Sequence, residues 1–359
     1  MSLRFYCAPL DGLTGHVFRN AHHALYGGVD KYFTPFLNAT SEESLSGREL
    51  RDVLPENNRG VPVVPQLMAR RAPAFLEAAQ RLQALGYEEI NLNLGCPSAT
   101  VVTKGRGAGF LAFPDELEAF LDAIFRDCPL RVSIKTRIGM AHADEFPRLL
   151  SIYDRYPVTE LIVHARTRSD FYGGLPRMDA FRVALATCRH PLVYNGDLFG
   201  RPEVAAFAAE FPTVDTLMLG RGLLCNPGLI EAIRQEASAA GGDIRQDTSA
   251  VACPIRQEAS GAAPDIRQGA PPDAARLRQF LDLLLEGYRQ LMGNDRNALF
   301  RMKELWTYLI HLFPDHERHA KHIRKAETMA AYVAAVDALF HDRAPMEQDG
   351  WGEKFRRKG

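Results

Sequence analysis

The chain of 359 residues is 46% hydrophobic and 24% charged, which is ordinary for a globular protein and excludes collagen-like and disordered classes. A formal net charge of −1 excludes a uniformly basic nucleic-acid binder, so any RNA contact must come from a local patch. The cysteines at 7, 96, 128, 188, 225 and 253 form no Cys-x-x-Cys pair, which argues against a zinc site or disulfide framework and reads as reduced thiols. The sequence opens directly on a strand, without a basic leader, and holds no apolar run of about 18 residues, so a cytoplasmic location without membrane contact is expected.

Short β-rich runs recur at 4–10, 31–37, 61–67, 89–96, 130–139, 160–168, 192–197 and 216–224, each followed by a helix-like stretch. This spacing suits βα units, and near-continuous apolar runs such as Leu161-Ile162-Val163 suit strands covered on both faces. An eightfold (β/α) TIM barrel over residues 1–232 is the economical closure. Between strands, 72–85 reads as an amphipathic helix with Phe75, Leu76, Ala79, Leu82 and Leu85 on one face and Gly86 ending it. Ile-Arg-Gln then recurs at 233–235, 244–246, 255–257 and 266–268, with Gly241-Gly242, Pro254, Pro264 and Pro271-Pro272 interrupting any helix. Residues 233–272 therefore read as a low-complexity linker. From Asp273 helical periodicity returns through Leu277, Phe280, Leu281, Leu284 and Leu285, followed by helices over 300–312 and roughly 319–340. A small all-helical domain over 273–340 with a charged tail at 341–359 follows. Arg318, Lys321, Arg324 and Lys325 recur at helical spacing and form a basic stripe there.

The most informative stretch is Ile90-Asn91-Leu92-Asn93-Leu94-Gly95-Cys96-Pro97, a strand that ends by presenting one cysteine. Pro97 biases Cys96 toward extended backbone, and Gly95 is expected to permit a sharp turn that aims the thiol at a ligand rather than into the core. The loop 98–109 carries Gly105, Gly107 and Gly109 with Lys104 and Arg106, as expected of a mobile segment near a polyanion. Aligning the strand ends collects Pro9, Gln66, Asn93, Cys96, Lys135, Arg137, His164, Arg166, Asn195, Asp197, Gly220 and Arg221 around one mouth. In such barrels a phosphate docks at the loops after strands seven and eight, here Asn195-Gly196-Asp197 and Gly220-Arg221-Gly222. Lys135 and His164 end apolar strands and are placed to donate to the edge of a reduced flavin where negative charge accumulates.

Taken together these residues resemble the tRNA-dihydrouridine synthase family, flavoenzymes that reduce uridine in tRNA. The most specific piece is Asn93-Leu94-Gly95-Cys96-Pro97, with Gly105-Arg106-Gly107-Ala108-Gly109 following. Ala8-Pro9-Leu10-Asp11-Gly12, Ile134-Lys135-Thr136-Arg137 and His164-Ala165-Arg166-Thr167-Arg168 support it, with Leu10 standing where the family commonly has Met. The resemblance implies FMN contacted by Pro9, Gln66, Lys135 and His164, its phosphate near Asn195, Gly196, Gly220 and Arg221, with Asp197 in the same turn. It implies NADPH as electron donor and Cys96 as the acid that protonates uracil C5. Asn93, Lys135, Arg137 and Tyr172 are implied as uracil contacts, and Arg301, Lys303, Arg324 and Lys325 as contacts to tRNA. A monomer without a stable protein partner is expected. Two other readings stand beside this one. They are an FMN barrel acting on a free small molecule, as dihydroorotate dehydrogenases and ene-reductases do, and a non-catalytic RNA-binding barrel.

Overall fold

Ten short parallel strands curl into a barrel in the computed structural model, which describes residues 3–39, 47–239 and 272–346 together with Gly352 and Lys354. The strands are β1 (Arg4–Cys7), β2 (Lys31–Phe33), β3 (Leu37–Ala39), β4 (Val63–Val64), β5 (Gln66–Ala69), β6 (Glu89–Leu94), β7 (Arg131–Arg137), β8 (Leu161–His164), β9 (Leu192–Asn195) and β10 (Thr216–Leu219). Four of them are halves of interrupted strands. β2 pairs with β4 and β3 with β5, while Pro65, which has no N–H to give to a ladder, separates β4 from β5. The ten segments therefore act as eight staves, and the ring closes through β1, which pairs with both β10 and β2. This is the eightfold barrel expected from the spacing of apolar runs.

The staves are lined alternately. Tyr6, Ala8, Phe33, Val64, Ile162, Val193 and Met218 form a separate apolar cluster inside the barrel, while the opposite faces pack under the surrounding helices. Below that cluster the Lys31 ammonium lies 2.9 Å from Glu89 and 3.0 Å from Glu160, and the Tyr6 hydroxyl donates to Glu160 at 2.9 Å. Buried carboxylates need such partners. The amino-terminal end is thereby plugged, and the carboxyl end of the strands is left as the open end.

The helix Ala72–Ala84 buries Phe75, Ala78, Ala79 and Leu82, and Gly86 ends it at φ +91. The helix Leu229–Ala239 runs through the boundary drawn at residue 232 and carries the first Ile-Arg-Gln repeat. It continues because Leu229 and Ile230 are buried against the barrel, with Arg234 lying 3.8 Å from Asp30. The other three repeats lie outside the described residues.

Beyond them, Asp273 caps the helix Ala274–Met292 by accepting from the N–H groups of Ala275 and Arg276, and Gly293 closes it at φ 70. Asn294 caps the next helix, Asp295–Leu309, five residues before the start expected at 300. The expected helix over 319–340 is two helices, Glu317–Lys325 and Met329–Asp342. Ala326 turns extended and the Thr328 hydroxyl accepts from Ala331 N–H, a local cap that interrupts otherwise continuous periodicity. The domain docks on the barrel through Phe280, whose ring meets Phe18 and Tyr26 edge-on at 5.8 and 5.6 Å. Among the described residues no helix is long and apolar enough to cross a membrane.

Replacing Lys31 with Met leaves Glu89 and Glu160 facing each other without their cation. We expect a loss of about 2 kcal/mol, discounted because the ammonium is partly exposed, read as a lower urea midpoint at unchanged slope. An unshifted midpoint would show the plug contributes nothing.

Candidate active site

Residues two apart on a strand share a face, so the polar residues at the strand ends form one layer above the apolar interior. Registry sets Asn93 beside Lys135, Arg137 beside His164 and His164 beside Asn195. Above this layer opens a cavity of about 310 Å³, in the range of small-molecule sites. Pro9, Asn93, Cys96, Lys135, Arg137, His164, Tyr172, Asn195, Gly196, Gly220 and Arg221, all anticipated from sequence, line it.

The cysteine corner is built by a side chain rather than by glycine freedom. Asn93 Oδ1 accepts from the N–H groups of both Gly95 and Cys96 at 3.0 Å, which folds the backbone back over the strand end. Gly95 has no positive φ, and a Cβ there would make only ordinary contacts, so the expected role of Gly95 is not required. The glycine that matters is Gly107, at φ +55, where a Cβ would come within 2.9 Å of the Cys96 carbonyl and 3.0 Å of Cys96 Cβ. Ala108 N–H donates to that same carbonyl at 3.0 Å. Within the segment expected to be mobile, Gly107, Ala108 and Gly109 are buried as a packed buttress whose glycines serve close approach, while Ser98, Ala99, Thr100, Thr103 and Lys104 are exposed.

Asn93 is itself held from below. Its Nδ2 donates to Gln66 Oε1 at 2.7 Å, Gln66 Nε2 donates to Asn91 Oδ1 at 2.8 Å, and Asn91 Nδ2 donates to Ser133 at 2.9 Å. Gln66 is fully buried in this ladder, one layer beneath the cavity. Asp197 also lies behind the wall. Its carboxylate accepts from Arg166 at 2.8 and 2.7 Å and from Arg221 at 2.8 Å. Arg166, fully buried, donates further to the carbonyls of Gly173 and Gly174 and so fixes the loop that carries Tyr172. The Arg221 and Arg137 guanidinium groups lie 4.9 and 5.5 Å from the Tyr172 ring centre.

Burial and crowded cations set the protonation of the site. Burial, joined by Arg137, Lys135, Arg166 and Arg221, holds His164 well below the usual imidazole range, so its ring is neutral. Arg166 Nη1 lies 3.3 Å from His164 Nε2, and a guanidinium can only donate, so Nε2 accepts and Nδ1 carries the hydrogen. Burial and Arg137 bring Lys135 down to about 7. The hydrogen bonds of Lys135 and Arg137 go to neutral oxygens: Asn195 Oδ1 at 2.7 Å, and the carbonyls of Gly95 and Thr167 at 2.9 and 2.7 Å. Burial pushes the Cys96 thiol up, against weaker opposing effects of the Ser98 backbone and Arg137, so it keeps its proton at neutral pH. The cavity thus combines a protonated thiol, a neutral N–H donor and cationic groups suited to an anionic ligand.

The basic residues assigned to RNA lie elsewhere. Arg301 pairs with Glu304 and presses its guanidinium against Gly12, next to the loop bearing Asp11. Lys303 is half-buried on the same helix, and Arg324 and Lys325 are exposed with Arg318 and Lys321 on the helix Glu317–Lys325. The sequence reading missed Leu10, Asp11, Phe36 and Tyr308 in the wall. Leu10 and Asp11 follow Pro9 directly and were reachable from sequence. Tyr308 comes from the helical domain, and no local signal in its helix marks it.

Among the described residues no group of three or more His, Cys, Asp or Glu could hold a metal ion, and Cys7, Cys96, Cys128, Cys188 and Cys225 are free. A family model described as dihydrouridine synthase matches residues 6–253. A protein of Staphylococcus aureus (strain COL) named probable tRNA-dihydrouridine synthase is 29% identical over 237 residues, covering 63% of this chain and 70% of that protein. Probable tRNA-dihydrouridine synthase 2 of Bacillus subtilis (strain 168) is 28% identical over 242 residues, covering 66% and 73%. Among solved structures, morphinone reductase aligns with a TM-score of 0.46 at 15% identity, covering 69% of this chain and 89% of that one.

The raised Cys96 thiol predicts slow alkylation at neutral pH. Iodoacetamide labelling of the Cys96 peptide, followed by mass spectrometry, should rise with an inflection above the ~8.5 of an ordinary thiol. An inflection below that value would mean a thiolate and a nucleophilic role.

Proposed function

The chain belongs to the dihydrouridine synthase family, and from that premise we propose that it reduces uridine in tRNA to 5,6-dihydrouridine with FMN and NADPH. The observation that carries this reading is the convergence on one cavity of a protonated cysteine with Lys135 and Arg137, two basic side chains whose hydrogen bonds go to neutral oxygens. A phosphorylated, planar and electron-accepting cofactor fits that donor set.

Pro9, Lys135 and His164 would hold the flavin ring, with Asn195, Gly196, Gly220 and Arg221 toward its phosphate. Gln66 acts through Asn93, and Asp197 through Arg221 and Arg166. A flavin held by these residues would supply hydride chemistry toward uracil C6, with NADPH as its reductant. Lys135 gains a proton when an anion enters, because an opposite charge offsets the burial that brings it down to about 7. His164 offers Nδ1–H as a neutral donor. Asn93, Arg137 and Tyr172 orient the pyrimidine. Cys96 delivers a proton to C5, a task for a group that is still protonated at the working pH.

A uracil stacked inside folded RNA cannot reach a recessed cavity and must be extruded. Arg318, Lys321, Arg324 and Lys325, exposed on one helix, would follow the phosphates of the substrate, with Arg301 and Lys303 nearer the mouth.

Cys96→Ala should retain the yellow flavin absorbance and lose turnover by roughly 10²–10⁴-fold, measured by mass spectrometry of dihydrouridine in unmodified transcribed tRNA. Loss of the flavin from that variant would show the thiol has another task. Reversing Arg324 and Lys325 to Glu should weaken tRNA binding and flatten its salt dependence without bleaching the protein. Unchanged affinity at moderate salt would remove both from the RNA surface.

A further inference from the structure

Of the exposed large apolar side chains among the described residues, Phe171, Tyr172 and Leu175 fall within one five-residue stretch at the rim of the cavity. Exposed apolar side chains concentrated beside a site indicate contact with something. Phe171 is unusual a second time. Its backbone has φ 48, a left-handed conformation that costs a bulky residue strain.

The surroundings enforce that conformation. Asp170 accepts from Thr167 N–H at 2.8 Å and pairs with Arg177, and Phe171 N–H donates to the Arg168 carbonyl at 3.1 Å. Gly173 N–H donates to the Asp170 carbonyl at 2.7 Å, and Arg166 holds the carbonyls of Gly173 and Gly174. The loop is thus pinned on both sides of Phe171, and the ring, held in this conformation beside the cavity, is left 38% exposed. Tyr172, its neighbour, is engaged by Arg137 and Arg221. Phe171 instead carries the Arg168 guanidinium 4.7 Å from its ring centre, and Arg168 Nε is buried without a hydrogen-bond partner. A strained backbone that keeps an aromatic ring partly exposed at the rim of a cavity points to a use outside the fold.

We propose that Phe171 is a stacking wedge that takes the place of the extruded nucleotide, its ring lying against the base next to the vacated position while Arg168 meets an adjacent phosphate. This rests on the reading of the cavity as a uridine site in RNA and makes Phe171 a positioning residue. Extrusion costs the stacking of the departing base, and an aromatic ring at the gap restores part of that energy. The benefit exists only for a substrate whose uridine begins stacked.

The test compares unmodified transcribed tRNA with a short unstructured uridine-containing oligonucleotide, each with NADPH. Phe171→Asn, which tolerates positive φ, should keep the flavin absorbance and raise the thermal midpoint. It should lower kcat/KM on tRNA about tenfold while leaving the oligonucleotide rate within about twofold. Phe171→Trp should retain the tRNA rate. Equal losses on both substrates, no loss on tRNA, or a lowered thermal midpoint in Phe171→Asn would overturn the proposal. Wild-type protein inert toward both RNAs would overturn the underlying reading, and this proposal with it.

Discussion

The buried Arg166–Asp197 pair ties together parts of the site that the chain delivers from three strand ends. Both side chains are almost wholly excluded from water, and their contact is bidentate, the geometry in which a guanidinium and a carboxylate best offset their loss of hydration. From this pair Arg166 reaches His164 and the carbonyls of Gly173 and Gly174, while Asp197 reaches Arg221. One ion pair therefore sets the tautomer of the histidine, the course of the loop at 169–174 and the position of an arginine at the cavity wall. Removing Asp197 would strand the buried Arg166 charge at a cost of about 3–5 kcal/mol, whereas Asp197 without Arg166 keeps Arg221.

The rest of the site follows the same economy. A barrel interior cannot leave polar groups unsatisfied, so the amides of Gln66, Asn91 and Asn93 satisfy one another in a ladder whose top rung folds the Cys96 corner. Asn195 is fixed between Lys135 and the Met218 carbonyl. Asn93, Arg137, His164, Asn195 and Arg221 are each held by a group that does not line the cavity, namely Gln66, the Thr167 carbonyl, Arg166, the Met218 carbonyl and Asp197, which keeps them preorganised for charge that arrives with a ligand. The excess of cations over their carboxylate partners makes the layer electrostatically incomplete by itself.

The helical domain is part of this enclosure. Phe280 packs on the first helix of the barrel, Arg301 presses on Gly12 and Tyr308 joins the cavity wall. A face of the helix Asp295–Leu309 therefore serves both as docking surface and as lining, so the helical domain is mechanically continuous with the cavity below it.

The sequence by itself determined the eight staves, because near-continuous apolar runs at βα spacing admit few other closures. It determined most of the cavity wall as well, because period-two alternation at strand ends leaves Asn93, Lys135, Arg137, His164 and Asn195 nowhere to point but inward. Local caps at Asp273, Asn294 and Thr328 were also written in the sequence, although the last was hidden inside a periodic run. Tertiary structure alone decided that Gly107 rather than Gly95 makes room for the cysteine corner, since steric need at a glycine depends on what packs against it. It alone placed Gln66 and Asp197 one shell behind the cavity and brought Tyr308 in from across the chain. Which neighbour a side chain meets over more than a hundred residues is set by packing, and packing leaves no periodic trace in the sequence.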